Sequence, residues 1–392
     1  MHYQAIINFA AVFTALSLST STCAAPVSRR RATTGLLDAT VQLVESHLED
    51  AAVDTWTAGT YGEALLELSY PSLSVFSPSF ATANFSNPSQ VVALVNKWEA
   101  KRPTWTQELA FVENGASGDP PALAVPWIVT AMSEQGEQKA KLWEQAREQL
   151  EYVLATVPRT ADGAISHRPP HEKVQLWTDF MYMVPPMLAY YGAMSQNVSL
   201  LEEAYTQLKL YRDYLASDSS KALRHVVLGD WQDNGMWATG NGWAAAGMIR
   251  VAATLQHSSY ASQFANEIGD LKQWTQEVLE GSFSYLRNDG LLPNYFDIES
   301  SFSDAAGSAL LAATAFRLAD LDSASSTDYS SLLATASTIR ASVNAKIAPS
   351  GWLTQVVDPL SFAQEAQTSP EGQAFILLLE AAWRDHQSHP RR

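Results

Sequence analysis

One acid of this sequence, Asp179, stands among bulky apolar and aromatic residues. Trp177, Phe180 and Met181 flank it, and Pro185 follows six residues later, where a proline interrupts helical hydrogen bonding. Burial disfavours the charged form of a carboxyl, so this setting predicts a raised pKa for Asp179. A carboxyl that stays protonated can donate a proton in catalysis. Asp179 is therefore either a buried structural cap or a catalytic acid, and the irregular backbone expected beside it favours catalysis.

Asp179 belongs to one of four polar clusters, each of which precedes an apolar helical segment. The clusters span residues 113–119, 167–179, 225–243 and 369–372. Structural alternatives remain open for two other acids. Asp119, which precedes a proline, could cap a helix. Glu371 lies in a first helical turn, where a negative charge suits the helix dipole, and the structural interpretation is the stronger one there.

The helices that must position these clusters are predicted from apolar residues at three- and four-residue spacings. Twelve such segments lie near residues 36–50, 61–69, 88–100, 121–135, 138–156, 174–194, 199–216, 241–257, 260–280, 303–322, 328–348 and 370–385. They make six hairpins without an internal polar linker, which predicts an all-α fold, a closed (α/α)6 toroid of six hairpins. An open helical solenoid is the alternative, but solenoids show sequence repeats and none is found. In a toroid the inner helices begin at one end of the ring, so the four clusters can line a single pocket.

The chain is predicted to begin with a secretory signal peptide. Residues 1–25 contain an apolar run and end in small residues, a pattern too short for a membrane anchor. A short basic leader, 26–35, follows, and its three arginines, 29–31, form either a second processing site or an exposed tail. Residues 36–392 are predicted to form one catalytic domain. Glycosylation acceptor motifs at Asn84 and Asn197 favour a secreted, extracellular glycoprotein.

Composition argues against several classes of function. The chain has 25 Lys and Arg against 41 Asp and Glu, and this net charge of −16 argues against nucleic acid or an anionic membrane as a partner. The single cysteine, Cys23, lies in the signal peptide, so the mature protein is expected to lack disulfides. The eight histidines are scattered and match no metal-ligand pattern, and no nucleotide-binding loop is present. We therefore expect no metal and no cofactor.

Tryptophan and tyrosine are abundant, with twelve and fourteen copies. Aromatic faces stack on sugar rings, but they also fill cores, and the count alone favours core packing. Trp231, Trp237 and Trp243 recur every six residues, which matches neither helix nor strand periodicity. These three tryptophans therefore line a pocket or fill the core, with neither alternative favoured.

Three blocks of the sequence carry a family resemblance. They are His167-Arg168 with LWTDFMYMVPP at 176–186, WATGNGW at 237–243, and SPEG at 369–372. In order and spacing they resemble the unsaturated glycuronyl hydrolases of glycoside hydrolase families 88 and 105, and more closely family 105, the unsaturated rhamnogalacturonyl hydrolases. The resemblance implies an (α/α)6 toroid and an oligosaccharide substrate, a pectin or rhamnogalacturonan lyase product with a 4,5-unsaturated galacturonyl group at its non-reducing end. An acid protonates C4, water adds at C5, and the resulting hemiketal opens and releases the next sugar.

The resemblance also implies roles for individual residues. Asp179 would be the acid/base catalyst, and Asp119 resembles the second acidic position. The residues implied to bind substrate are His167, His225, Trp177, Trp237, Asn241 and Trp243. The two histidines would be polar contacts, and Trp237 and Trp243 would be stacking walls. A monomer is expected.

One residue departs from the family pattern. The family usually has arginine immediately before Gly-Asn-Gly-Trp, where this sequence has Thr239. Since that arginine would contact substrate, an altered subsite is expected here, with Arg168, Lys173 or Arg224 as replacement cations. Two rival functions remain. One is a different (α/α)6 glycosidase or a sugar epimerase, and the other is a catalytically silent sugar-binding toroid, which Thr239 favours.

Overall fold

The computed structural model describes residues 35–102, 115–217 and 219–388. The predicted signal peptide, nearly all of the basic leader and the first two residues of the 113–119 cluster lie outside the described residues. Gly35 to Arg392 belongs to one compact unit. In the described part of the chain, no helix is long and apolar enough to cross a membrane.

Helices dominate the described residues. Twelve have ten or more residues, and α6 is a single short turn. Their bounds are α1 Asp38–Ala51, α2 Thr55–Leu68, α3 Ser89–Glu99, α4 Ala124–Ser133, α5 Gly136–Glu151, α6 Phe180–Met183, α7 Pro185–Ser195, α8 Val198–Leu215, α9 Ala238–His257, α10 Ala265–Phe283, α11 Ala305–Leu321, α12 Ser330–Ala345 and α13 Pro370–Ser388.

The helices form two concentric rings. The second member of each hairpin is an inner helix, and α2, α4, α7, α9, α11 and α13 each contact the next in turn. Helix α13 then packs on α2, which closes the inner ring. The outer helices α1, α3, α5, α8, α10 and α12 each lie against an inner one. The predicted (α/α)6 toroid is confirmed.

Burial explains which helices form the inner ring. In α9 every residue from Ala238 to Leu255 is buried, as expected for a helix that contacts neighbours on all sides. Outer helix α8 buries only one stripe, which includes Leu201, Leu208 and Leu215. Close contact requires small residues: a Cβ added to Gly247 would lie 2.0 Å from the carbonyl oxygen of Met181 in α6.

Two predicted helices differ from the structure. The segment predicted as a helix at 174–194 begins instead with strand β1, Gln175–Trp177, which pairs antiparallel with β2, Val226–Leu228. Helix α7 starts only at Pro185, because proline has no N–H to continue the preceding turn but suits a first helical turn. The helix predicted at 61–69 extends six residues further back, to Thr55.

Two further strand pairs lie in the segments that lead to inner helices. Strand β3, Leu292–Pro293, pairs with β4, Ser303–Asp304, ahead of α11. Strand β5, Val356–Val357, pairs with β6, Glu365–Ala366, ahead of α13. Since the inner helices are all second members of hairpins, their N-terminal ends and these preceding segments gather at one end of the ring.

A buried ionic network joins three inner helices. Glu67 of α2 accepts hydrogen bonds from Arg250 of α9 and from Arg317 of α11, the latter through Nε at 3.0 Å and Nη2 at 2.7 Å. Arg250 also donates to Glu63 at 2.8 Å. The two arginines and Glu67 are all at most 5% exposed. The network is therefore a set of buried ion pairs that connects α2 with α9 and α11 inside the core.

Candidate active site

The β1–β2 pair sets the position of Asp179. The backbone N–H of Thr178 donates to the carbonyl of His225 at 3.0 Å, which brings the residue after β1 next to the residue before β2. Thr178 Oγ1 donates to Asp179 Oδ2 at 3.1 Å. Helix α9 approaches so closely that a Cβ on Gly240 would lie 2.4 Å from Thr178 Oγ1. Glycine at 240 therefore leaves room for the hydroxyl that orients the carboxyl.

His225 connects Asp179 to a second carboxyl. His225 is fully buried, and its Nε2 lies 3.4 Å from Asp179 Oδ2, at ion-pair distance rather than in an aligned hydrogen bond. Its Nδ1 lies 2.9 Å from Asp233 Oδ2. Asp233 Oδ2 also accepts from the Tyr295 hydroxyl at 2.5 Å, and its Oδ1 accepts from the backbone N–H of Gly235. The imidazole is therefore held between two carboxylates.

This arrangement corrects the predicted ionisation of Asp179. Burial would raise the pKa of Asp179, as the sequence suggested, but His225 and the Thr178 hydroxyl together lower it below its ordinary value. Burial likewise disfavours charge on His225, yet Asp179 and Asp233 raise its pKa above the usual histidine value. The prediction of a raised pKa at Asp179 is wrong, because a buried imidazolium outweighs desolvation of the carboxylate.

Asp119 carries the raised pKa instead. Burial and the nearby charge of Asp179 raise the pKa of Asp119 to about 8, against a lowering by Arg168. Its Oδ1 lies 3.5 Å from Nε2 of His167. The predicted helix-capping alternative is not observed, since the Asp119 side chain makes no capping hydrogen bond to the 3-10 turn Pro120–Leu123. Asp119 is thus a carboxyl that stays protonated at neutral pH beside a carboxylate.

His167 is neutral and tightly packed. Burial lowers its pKa to about 4, with Arg168 and His225 lowering it further and Asp179 opposing them. Its ring stacks on Trp177, with the ring centroids 4.8 Å apart. A Cβ on Gly118 would lie 2.3 Å from His167 Nδ1, so a larger residue there would displace the imidazole. The backbone N–H of Gly118 also donates to the His167 carbonyl at 3.1 Å, which ties the Asp119 segment to this histidine.

Aromatic side chains surround the two histidines. Trp177 contacts Trp231 edge-on at 5.2 Å, and Trp231 is 47% exposed, at the open side of the cluster. Phe362, from the β5–β6 segment, contacts Trp177, His225 and Trp237 at 5.8, 4.7 and 5.1 Å. Trp237 is 1% exposed, so its ring is not available to stack on a sugar in this structure.

The arrangement suits acid–base chemistry on a sugar. One carboxyl is protonated, another is ionised, and aromatic rings bound the space beside them. Among residues 35–102, 115–217 and 219–388, no group of three or more His, Cys, Asp or Glu side chains is arranged to hold a metal ion.

Comparison with known proteins agrees with this chemistry. Residues 126–319, which are 194 of the 392 residues, match the family model for Glycosyl Hydrolase Family 88. No curated protein matches the sequence at a significant level. This match makes the chain similar to glycoside hydrolase family 88.

Solved structures share the toroid of this chain. A possible member of the GH105 family from Salmonella enterica serovar Paratyphi A is 19% identical, with a TM-score of 0.66 over 89% of this chain and 94% of that one. Another possible GH105 member, from Klebsiella pneumoniae, is 17% identical, with a TM-score of 0.66 over 96% and 100%. The unsaturated glucuronyl hydrolase from Bacillus sp. GL1, responsible for the degradation of glycosaminoglycan, is 13% identical, with a TM-score of 0.63 over 89% and 95%. At these identities the likeness is one of fold.

Two residues that the sequence predicted to bind substrate, Asn241 and Trp243, have other roles in the structure. The Asn241 side chain bonds to backbone: Oδ1 accepts from Leu223 N–H at 2.7 Å, and Nδ2 donates to the carbonyls of Leu223 and Trp237. Asn241 therefore fastens the β2 segment to α9 and is not free for substrate. Trp243 is fully buried between Tyr182 and Phe375, at 4.6 and 4.7 Å, so it fills the ring's interior and is not a stacking wall.

Thr239 is also withdrawn from solvent. It is fully buried, and its Oγ1 donates to Asp304 Oδ2 at 3.3 Å. Asp304 caps α11 by accepting from the N–H groups of Ala306 and Gly307. Thr239 therefore belongs to the joint between α9 and α11.

The three candidate replacement cations differ in position. Lys173 pairs with Asp230 at the surface, and Arg224 donates to the Tyr214 carbonyl at 2.7 Å. Arg168 pairs with Glu172, but its charge also lowers the pKa values of Asp119 and His167. Arg168 is therefore the candidate cation that acts on the carboxyl pair.

Sequence reasoning missed Asp233, Tyr295 and Phe362. Asp233 lies inside the polar cluster 225–243, so of these three residues it is the one that the sequence pattern could have indicated. Tyr295 and Phe362 lie in segments without a recognised motif, and only the folded chain brings them to His225.

Proposed function

We propose that this chain is a secreted hydrolase that removes the 4,5-unsaturated galacturonyl group from the non-reducing end of pectin or rhamnogalacturonan lyase products. The match to the model of glycoside hydrolase family 88 supports hydrolysis of an unsaturated glycuronyl group. The galacturonyl preference rests on the family 105 resemblance of the three sequence blocks.

The observation that carries the proposal is the opposite ionisation of two neighbouring carboxyls. Asp119 holds a proton because burial and the charge of Asp179 disfavour its anion, while Asp179 is ionised beside His225. Two interacting carboxyls share protons as a pair, so the pair as a whole carries one proton at neutral pH. Hydration of a double bond needs one proton donor and one acceptor, and the pair contains both.

In the proposed reaction, the pair delivers its proton to C4 of the substrate. The positive charge that develops at C5 is stabilised by the ring oxygen, and water attacks C5. As it adds, the water gives one of its two protons to the carboxyl pair and keeps the other as the C5 hydroxyl. This transfer restores the starting protonation state of the pair. The C5 hemiketal then opens, and the neighbouring sugar leaves with a free hydroxyl, so one water is consumed.

The roles within the pair follow from the ionisation states. Asp119 is the carboxyl that carries the proton before substrate binds, and Asp179 is the carboxylate suited to accept a proton from water. The sequence assigned proton donation to Asp179. That donation requires the shared proton to pass to Asp179, which a nearby anionic uronate favours by raising its proton affinity.

Secretion and glycosylation are part of the proposal. Both acceptor asparagines, Asn84 and Asn197, are exposed, which is compatible with glycan attachment. A monomer that acts without a metal or organic cofactor remains the expectation from sequence.

The test is a substrate panel with a catalytic variant. Unsaturated galacturonyl-rhamnose should lose the ultraviolet absorbance of its C4–C5 double bond, faster than unsaturated glycosaminoglycan disaccharides do. Asp179→Asn should remove that loss. Full activity in Asp179→Asn, or no turnover of any unsaturated disaccharide by the wild type, would contradict the proposed function.

A silent sugar-binding protein is the second candidate, because Thr239 stands where the family has a cation. It would bind the same disaccharide in calorimetry without changing its absorbance.

A further inference from the structure

A third carboxyl, absent from the reaction steps above, lies near the pair. Glu371 is the second residue of α13, and its side chain is buried, with 3% exposure. Its Oε1 accepts a hydrogen bond from the indole N–H of Trp56 at 2.7 Å. Its Oε2 is buried and has no hydrogen-bond partner within the described ranges. Buried polar atoms in folded proteins nearly always make a hydrogen bond. A bound ligand can therefore supply the hydrogen-bond partner that Oε2 lacks.

The surroundings of Glu371 keep it neutral. Burial raises its pKa well above the usual range, the charges of Asp179 and Asp304 raise it further, and the Trp56 indole opposes them. Since Oε1 accepts the indole N–H, the carboxyl proton resides on Oε2. That hydroxyl is a donor, and its missing partner is an acceptor.

We propose that Glu371 binds the substrate as a neutral carboxyl and donates a hydrogen bond from Oε2 to the carboxylate of the unsaturated uronate. The inference rests on the proposed function, which supplies the uronate. It replaces the structural interpretation that the sequence favoured for Glu371, a negative charge suited to the helix dipole.

Charge decides which acceptor fits. Asp179 is ionised, so an ionised Glu371 would add a second anion against an anionic substrate. A neutral O–H group avoids that repulsion and makes a charge-assisted bond to a carboxylate. Asp304 acts on Glu371 and accepts the hydrogen bond of Thr239, so Glu371 lies near the position where the family's cation is absent. A neutral donor there recognises the uronate without a cation.

The experiment measures whether the effect of a Glu371 substitution on KM depends on the presence of the substrate carboxylate. The substrates are unsaturated galacturonyl-rhamnose and its methyl ester, and the variants are Glu371→Leu, Glu371→Gln and, as a control, Glu365→Gln on the exposed strand β6. Wild type should prefer the acid. Glu371→Leu should raise KM for the acid about tenfold and change KM for the ester less, which reduces the preference for the acid. Glu371→Gln retains a donor at the same place, so its KM should stay within about threefold of wild type. Glu365→Gln should match wild type.

An unchanged preference for the acid in Glu371→Leu, or a Glu371→Gln variant as impaired as Glu371→Leu, would overturn the inference. If Glu371→Leu does not fold, as judged by circular dichroism, Glu371→Ala carries the same comparison. The comparison of variants requires that the wild-type protein turns over the acid substrate. A wild type that leaves both substrates unchanged contradicts the proposed function itself and this inference with it.

Discussion

His225 holds Asp179 ionised inside the protein, with Nε2 of the imidazole 3.4 Å from Oδ2 of the carboxylate. Desolvation alone would protonate a carboxyl as buried as Asp179, and the imidazolium reverses that effect. The proton that catalysis needs therefore lies on Asp119, whose pKa is raised to about 8. The two carboxyls divide the acid and base functions because only one of them has a histidine cation beside it.

Replacing Asp179 with asparagine should lower kcat by about 10²- to 10⁴-fold, the usual contribution of a general acid or base. Asparagine keeps the shape and can still accept from the Thr178 hydroxyl, so the fold should persist. The loss of double-bond absorbance measures kcat, and circular dichroism checks the fold. Retained activity with a native spectrum would remove Asp179 from the mechanism.

The pH profile of kcat/KM should be bell-shaped. Activity should decline as the pH rises through about 8, because Asp119 then loses its proton. On the acid side it should persist to unusually low pH, since the pKa of Asp179 lies below its ordinary value. Initial rates across the pH range on one disaccharide provide the profile. An alkaline limb that stays in place in a weakly active Asp119→Asn variant would rule out this assignment.

Asp119→Asn should lose activity yet gain thermal stability at pH 8. The folded-state pKa of Asp119, about 8, lies above the ordinary value of 3.8, so the folded protein binds this proton more tightly than the unfolded chain. Stability from this group is fully present below the ordinary value and is lost as the pH rises to about 8. Asparagine needs no proton, so the Tm of the variant should exceed that of wild type at pH 8 and approach it at pH 4. Equal Tm differences at both pH values would show that Asp119 is not protonated in the fold.

Asp233→Asn should impair catalysis through His225. Asp233 raises the pKa of His225, and its loss weakens the imidazolium that keeps Asp179 ionised. We expect kcat to fall about 10- to 100-fold, as when an orienting partner of a functional histidine is removed, and the acid limb of the profile to move to higher pH. Tyr295→Phe removes one donor to Asp233 and should produce a smaller shift in the same direction. A fall in kcat without a shift of the acid limb would indicate a purely structural role for Asp233.

Glu67→Gln should destabilise the toroid without replacing any residue of the candidate active site. Glu67 accepts from both Arg250 and Arg317, and its loss leaves buried guanidinium charge uncompensated, which costs about 3–5 kcal/mol. Denaturant unfolding measures the change in free energy, and Glu49→Gln, on an exposed position of α1, serves as the control. A loss of no more than that of the control would show that the network does not stabilise ring closure.

The helical architecture was predictable because local periodicity encodes it. Inner helices such as α9 and α11 are buried around nearly their whole circumference, while outer helices such as α8 bury one stripe. Twelve such segments in hairpins already indicated a closed ring. The start of α7 was misplaced because the β1–β2 pairing joins residues about 50 positions apart, which no local pattern reveals.

The sequence by itself determined the toroid and singled out Asp179, because short spacings of apolar residues specify helices and reveal an acid in apolar surroundings. Asp119, His167 and His225 were expected in the site from the family resemblance. Only the tertiary structure decided which carboxyl is protonated. A pKa depends on charges within a few ångströms, and those around Asp179, Asp119 and Glu371 come from different hairpins of the ring. The same folding withdraws Asn241 and Trp243 from the pocket and brings in Asp233, Tyr295 and Phe362.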